Sequence, residues 1–207
     1  MSDDKLTSKQ YLNELMAQHY QEASEGKKRG ELVAWSSSIA PQELCETMGI
    51  HVLYPENHAA AIGAKGGALP LIDYAESKGY SADLCSYARI NLAYKDVQDC
   101  VFENMPLPDL LIICNNICNT LIKWYENLST QLKIPLICID VPYNVEYEVT
   151  QERIDYIKAQ LKEAIRQLEE ITGKSFDYDR FHSVMETSIQ AAKAWEKAMS
   201  YAKYKPS

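Results

Sequence analysis

The chain has 207 residues, and 29 aspartate and glutamate residues outnumber 21 lysine and arginine residues, which gives a formal net charge of −8. This acidic balance disfavours a general nucleic-acid binder, because such proteins use basic surfaces to neutralise phosphates. The length suffices for one full-sized core or two small domains. The chain opens without a signal peptide and has no apolar run of roughly 18 residues, so we expect a cytoplasmic protein that binds neither membranes nor nucleic acids.

Strand and helix patterns alternate along most of the chain. Short apolar runs predict four strands, at 31–35, 50–54, 109–114 and 134–140. Helical spacing of apolar residues predicts intervening helices, over 5–27, 40–48, 58–64, 67–78, from about 83, and over 117–130. This alternation predicts an α/β fold with a mainly parallel, Rossmann-like sheet flanked by helices. The almost continuous apolar run at 109–114 is typical of a buried parallel strand.

From Thr150 onwards the pattern becomes purely helical. Apolar residues recur every three or four positions as far as Gly173, and again from Phe181 towards Pro206. These repeats predict two long C-terminal helices. We therefore divide the chain into an N-terminal helical segment, an α/β domain and a C-terminal helical pair, over 1–30, 31–145 and 146–207.

The six cysteines are expected to be free thiols, because the cytosol is reducing. Cys85 and Cys118 fall at predicted helix starts, along the sheet edge where strand ends and helix N-termini meet. Thiolates are favoured at helix N-termini, and iron–sulfur clusters use them as ligands. Cysteines are also often buried, and Cys114 and Cys118 lack common metal-site spacing, so the residues alone leave both roles open. Three further cysteines are expected in the core: Cys45, Cys100 and Cys138.

Polar side chains follow the first two predicted strands. The serines at 36–38 come after the first strand, where a hydroxyl caps the next helix or binds a ligand oxygen. Glu56 follows the second strand and is either a general base, if partly buried, or a first-turn helix charge. One edge of the predicted sheet thus collects a candidate site, made of Ser38, Glu56, Cys85, Cys114 and Cys118.

Five sequence blocks in this order resemble the 2-hydroxyacyl-CoA dehydratase family. They are Trp35-Ser-Ser-Ser38, Tyr54-Pro-Glu-Asn57, Gly79–Arg89, Cys114-Asn-Asn-Ile-Cys-Asn119 and Ile139-Asp-Val-Pro-Tyr-Asn144. The resemblance covers nearly the whole chain. It is nearest to the 2-hydroxyglutaryl-CoA branch of the family, alpha subunit or component D, and more distant to the benzoyl-CoA reductase subunits.

The resemblance implies subunits with two similar α/β domains and a 4Fe-4S cluster between them, held by three cysteines. It implies a hydro-lyase that converts (R)-2-hydroxyacyl-CoA to 2-enoyl-CoA by syn-type dehydration through a ketyl radical. A second dehydratase subunit would complete a heterodimer, and an ATP-dependent iron–sulfur activator would supply one electron. Two alternatives stay open: a benzoyl-CoA reductase-like subunit, and a non-catalytic α/β domain that binds acyl-CoA or a partner. The Tyr54–Asn57 and Cys114–Asn119 blocks favour the dehydratase.

Block by block, the resemblance also implies roles for individual residues. Cys85 and Cys118 match two cluster ligands, whereas Cys114 matches a position that is not a ligand. Ser38 matches a serine that hydrogen-bonds the substrate oxygen or the water on the open iron, with the register open within 36–38. Glu56 matches a glutamate in proton transfer. The family's third cysteine and second α/β domain lie beyond residue 207, so we expect an N-terminal half that lacks an intact cluster and is inactive alone.

Overall fold

The computed structural model describes residues 6–204. It contains four strands, namely β1 (Val33–Ser36), β2 (His51–Leu53), β3 (Leu110–Cys114) and β4 (Leu136–Ile139). They form one sheet in the order β2-β1-β3-β4, and each neighbouring pair is parallel. All five residues of β3 are buried, which confirms the prediction that the long apolar run is a buried parallel strand.

Eight α-helices accompany the sheet within the described residues. They are α1 (Ser8–Lys28), α2 (Gln42–Thr47), α3 (Pro55–Ala64), α4 (Ala68–Ser77), α5 (Ser86–Val97), α6 (Asn119–Leu132), α7 (Gln151–Thr172) and α8 (Tyr178–Ser200). The predicted α/β class, the N-terminal helix and the two long C-terminal helices are confirmed. The predicted helix start at residue 5 and the predicted stop at Pro206 lie outside the described residues. Between residues 6 and 204, no helix is long and apolar enough to cross a membrane.

Side chains of each strand alternate between the two faces of the sheet, and each face has its own core. On the first face, Trp35 and Ile113 pack with α1, α5 and α6. On the second face, Ala34 and Ile112 pack with α2 and α7. Helices α3 and α4 pack against α5 in a third apolar cluster. Helix α8 contacts α2 and has no buried residue.

The strand order places a topological switch point between β1 and β3. The chain leaves β1 for β2 on one side, and later adds β3 and β4 on the other side. In open parallel sheets, ligands bind outside the carboxyl ends of the strands at such a point. The loop after β1 and the loop after β3 therefore flank the place where the fold favours a site.

The structure describes all six cysteines as free thiols, and their burial differs in part from expectation. Cys45 is fully buried, as predicted. The prediction for Cys138 is wrong, because this side chain is exposed. It lies in the edge strand β4, whose alternate residues Ile137 and Ile139 are buried while the opposite face of the strand is less covered. Cys100 is half-buried, in the loop before β3.

Candidate functional site

The loop after β1 brings one of its three serines to the surface. Ser36 and Ser37 are fully buried. The Ser36 hydroxyl donates to the Ser37 carbonyl at 3.0 Å, and the Ser37 hydroxyl accepts from the Cys114 N–H at 3.4 Å. Ser38 is exposed, and its hydroxyl donates only a long 3.5 Å bond, to Asn57 Oδ1. Of the three, only the Ser38 hydroxyl is therefore open to a ligand.

Glu56 contacts this loop and lies at the start of α3, directly after β2. Pro55 begins α3, which puts Glu56 in the first helical turn. The Glu56 Oε2 accepts a 2.9 Å hydrogen bond from the backbone N–H of Ser38. Partial burial raises the pKa of Glu56, and the bond from Ser38 opposes that rise. The carboxylate is thus both a first-turn charge and a stronger base than an exposed glutamate.

Both predicted cysteine ligands lie at helix N-caps. Cys85 is the N-cap of α5 and Cys118 is the N-cap of α6. Both are exposed, and neither side chain accepts a capping hydrogen bond. Because the first N–H groups of a helix have no partner within it, a sulfur at this position meets donors that suit a thiolate.

One buried hydrogen bond joins the two cysteine-capped helices. Trp124 Nε1 donates to Asn91 Oδ1 at 2.8 Å, and both side chains are buried. Asn91 follows Cys85 by six residues, and Trp124 follows Cys118 by six residues. Along the helix axis, each cysteine therefore lies roughly 9 Å from the residue of its helix that makes this bond, because an α-helix rises 1.5 Å per residue. The helices that carry the two N-cap cysteines thus pack in the same hydrophobic core and are joined by this bond.

These two thiols fit part of an iron–sulfur ligand set. Residues 6–204 contain no group of three or more histidine, cysteine, aspartate or glutamate side chains that could hold a metal ion. Cys114 is buried at the end of β3, and this burial raises the pKa of its thiol to about 11. The chemistry of Cys85 and Cys118 suits two ligands of a cluster and leaves the other coordination positions to groups outside this set.

An apolar cleft that was not predicted from the sequence opens beside Ser38 on the second face of the sheet. This edge cleft has a volume of about 420 Å³. Its apolar lining comes from the ends of four strands and from α7, and includes Ile39, Tyr54, Ile139, Val141, Ile157 and Leu161. The apolar spacing predicted a helix in this region, but it did not predict which face of the sheet α7 covers.

Two histidines near the sheet, His51 and His58, have structural contacts. His51 Nε2 lies 2.7 Å from Glu31 Oε2. His58 is fully buried, and its Nε2 donates to the Glu103 carbonyl at 2.8 Å. Burial lowers the pKa of His58. Its partner lies 45 residues away, a separation that local sequence patterns do not reveal.

The sequence identifies the class, and the chain belongs to the 2-hydroxyglutaryl-CoA dehydratase, D-component family. The sequence profile of that family matches residues 37–207. The chain is 52% identical to the (R)-phenyllactyl-CoA dehydratase alpha subunit of Clostridium sporogenes, over 97% of this chain and 49% of that protein.

Two further relatives agree with this membership. The chain is 52% identical to the (R)-2-hydroxyisocaproyl-CoA dehydratase alpha subunit of Clostridioides difficile, over 95% of this chain and 48% of that protein. It is 36% identical to the (R)-2-hydroxyglutaryl-CoA dehydratase subunit alpha of Acidaminococcus fermentans, over 95% of this chain and 57% of that protein. The chain thus spans about half the length of the curated relatives it matches.

Proposed function

We propose that this chain is part of the alpha subunit of a 2-hydroxyacyl-CoA dehydratase, a hydro-lyase that converts (R)-2-hydroxyacyl-CoA to 2-enoyl-CoA. The observation that carries the proposal is the contact between Ser38 and Glu56 at the carboxyl ends of β1 and β2, beside the switch point of the sheet. It places a hydroxyl and a partly buried carboxylate within reach of one small ligand. The names of the relatives support the same reaction.

In this proposal, Ser38 and Glu56 divide the acid–base work. The Ser38 hydroxyl donates a hydrogen bond to the oxygen on carbon 2 of the substrate and orients it for departure as hydroxide. Glu56 accepts the proton from carbon 3, and partial burial makes its carboxylate a better base. Because that proton is barely acidic in the neutral thioester, one electron from the activator would first reduce the thioester to a ketyl radical anion. Hydroxide then leaves carbon 2, Glu56 takes the proton from carbon 3, and the electron is given up again, so the net change is the loss of water.

Cys85 and Cys118 would hold a 4Fe-4S cluster together with a third cysteine from outside these 207 residues. When bound, such a cluster supplies one-electron transfer and an iron with Lewis-acid character. The chain would act with a second dehydratase subunit and an ATP-dependent iron–sulfur activator, in the cytoplasm, and would be inactive alone.

The test uses the full-length protein assembled with its partner subunit and activator under anaerobic conditions. Cys85→Ser and Cys118→Ser should each lower the iron content. Each should also lower the rate of dehydration by more than about 100-fold, because losing a ligand costs more than losing a residue that only orients one. Iron content, thiolate-to-iron absorbance and product formation are the measurements.

Cys138→Ser is the matched control, because Cys138 is also exposed but lies in a strand rather than at a helix N-cap. It should retain iron and activity. If Cys85→Ser and Cys118→Ser retain as much iron as the control, the proposed ligands are wrong. If the unsubstituted assembly forms no 2-enoyl-CoA from any 2-hydroxyacyl-CoA, the proposed reaction is wrong.

A further inference from the structure

The edge cleft and the cysteine-capped helices lie on opposite faces of the sheet. Helices α5 and α6 pack on the first face, with Trp35. The edge cleft opens on the second face, between the carboxyl ends of β3 and β4 and helix α7. Ser38 belongs to its lining. A small ligand held at the Ser38 hydroxyl therefore lies next to this cleft.

The cleft is built as an apolar cavity. Cys114 and Ile139 are 5% and 2% exposed and form its floor. Ile157 and Leu161 reach it from α7, where a spacing of four residues puts both on one face of the helix. Ile39 is 46% exposed and lies at the rim. A branched hydrocarbon group would replace water against this lining, which favours binding.

The charges around the cleft disfavour an anionic ligand group. Among the lining residues that the structure describes, there is no lysine, arginine or histidine. Glu43 is the single charged residue of that lining, and its Oε1 already accepts a 2.6 Å hydrogen bond from Ser188. A carboxylate that entered the cleft would lose water without gaining a cation, and it would approach a like charge.

We infer that the edge cleft binds the side chain of the acyl group and selects an uncharged, apolar one. This inference rests on the proposed dehydratase function, because Ser38 holds the oxygen on carbon 2 in that proposal. The substituent that extends from carbon 3 then enters the cleft, while the thioester remains at the sheet edge.

The test compares two substrates of similar size in the complete assembly with its partner subunit and activator. The first is 2-hydroxyisocaproyl-CoA, whose side chain is branched and uncharged, and the second is 2-hydroxyglutaryl-CoA, whose side chain ends in a carboxylate. We expect kcat/KM for the uncharged substrate to be higher by at least about 100-fold, because the cleft offers the carboxylate no partner.

Ile157→Arg should reduce this preference by at least about 10-fold, because it puts a cation among the lining residues. Ile39→Arg at the exposed rim is a second variant that tests the same effect with less risk to folding. Ile154→Arg is the matched control: Ile154 is on the same helix, is 47% exposed and lies outside the cleft lining. Circular dichroism of each variant checks that it is folded.

The outcomes separate the two proposals. Equal kcat/KM values, or a preference for the carboxylate, would overturn the assignment of the cleft and leave the dehydratase function standing. The same holds if both cleft variants behave like Ile154→Arg. If the unsubstituted assembly dehydrates neither substrate nor a shorter 2-hydroxyacyl-CoA, the dehydratase function itself is wrong, and the inference fails with it.

Discussion

The Glu56 carboxylate accepts a 2.9 Å hydrogen bond from the backbone N–H of Ser38, although 18 residues separate the two. The bond ties the loop after β1 to the first turn of α3, which follows β2. The polar residues that follow two neighbouring strands are thus connected to each other. A change in the ionisation of Glu56 is for this reason felt directly by the loop that carries the Ser38 hydroxyl.

Glu56→Gln should lower kcat by about 10²–10⁴-fold, the usual contribution of a general base. Glutamine can still accept the hydrogen bond from Ser38, so the loop should keep its position. Because burial raises the pKa of Glu56, the rate of the unsubstituted enzyme should rise with pH through a value above the ordinary 4.5. The variant should not show this rise of the rate with pH, and a pH–rate profile measures both effects.

The same residue gives a stability readout with a defined sign. A carboxyl group whose pKa is higher in the folded state favours folding at low pH, and that contribution is lost as the pH rises through the folded-state value. Glu56→Gln should therefore be more stable than the unsubstituted protein at neutral pH but not at acidic pH, as measured by urea unfolding. An unchanged pH–rate profile in the variant would exclude Glu56 as the base.

Trp124→Phe should lower the free energy of unfolding by about 1–3 kcal/mol, the cost of a buried polar group left without a partner. The variant removes the indole N–H that Asn91 Oδ1 accepts, and Asn91 Nδ2 already has no partner in the structure. Urea denaturation measures the loss. Trp195→Phe is the control, because Trp195 is 69% exposed and should change stability by less than about 0.5 kcal/mol.

A second substitution tests whether the hydrogen bond is the cause. Adding Asn91→Leu to Trp124→Phe replaces both partners with apolar groups, so much of the lost stability should return. If the double variant is as unstable as the sum of the single variants, the Asn91–Trp124 bond does not couple α5 to α6 energetically.

Two helical glycines should respond to alanine with opposite signs. A Cβ on Gly26 would clash with His51 Nε2 and would lie 2.6 Å from Glu31 Oε2. Gly26→Ala should lower stability by about 1 kcal/mol, because overpacking exceeds the gain in helix propensity. At Gly63 nothing lies within 4 Å, and Gly63→Ala should raise stability by about 0.5–1 kcal/mol. Thermal unfolding distinguishes the two, and a shared sign would contradict the close approach at Gly26.

Alkylation of the metal-free protein should follow the burial of its thiols. At mildly alkaline pH, iodoacetamide should modify the exposed Cys85 and Cys118 first. Cys138 is exposed too but should react more slowly, because desolvation of its sulfur by the surrounding protein and the charge of Asp140 raise the pKa of its thiol. Cys45 should react only after unfolding, because burial raises its pKa to about 12. Peptide mass spectrometry over time gives the order, and early modification of Cys45 would contradict the packing of α2.

Signals carried by neighbouring residues were predictable from the sequence, and contacts between distant segments were not. The predicted helix starts near 83 and 117 led to Cys85 and Cys118, because cap positions depend on a few adjacent residues. The exposure of Cys138 was missed, since it follows from the edge position of β4 rather than from its apolar sequence.

The candidate site divides in the same way. Ser38, Glu56, Cys114 and Cys118 could be assigned to one sheet edge, because each lies at or soon after the carboxyl end of a parallel strand. The bond between Ser38 and Glu56 could not be predicted, since the reach of one side chain decides it. The edge cleft was also missed, because it forms only when Ile157 docks beside the ends of β3 and β4.

The opposite placement of α5 and α6 on one face and of the edge cleft on the other has an evolutionary consequence. Residues of α7 that line the cleft share no core cluster with the helices that carry the two cysteines. Mutations in α7 can therefore accumulate without repacking the cysteine-bearing helices. In the proposed function, the acyl side chain that the cleft accepts could in this way change while the residues proposed as cluster ligands stayed the same.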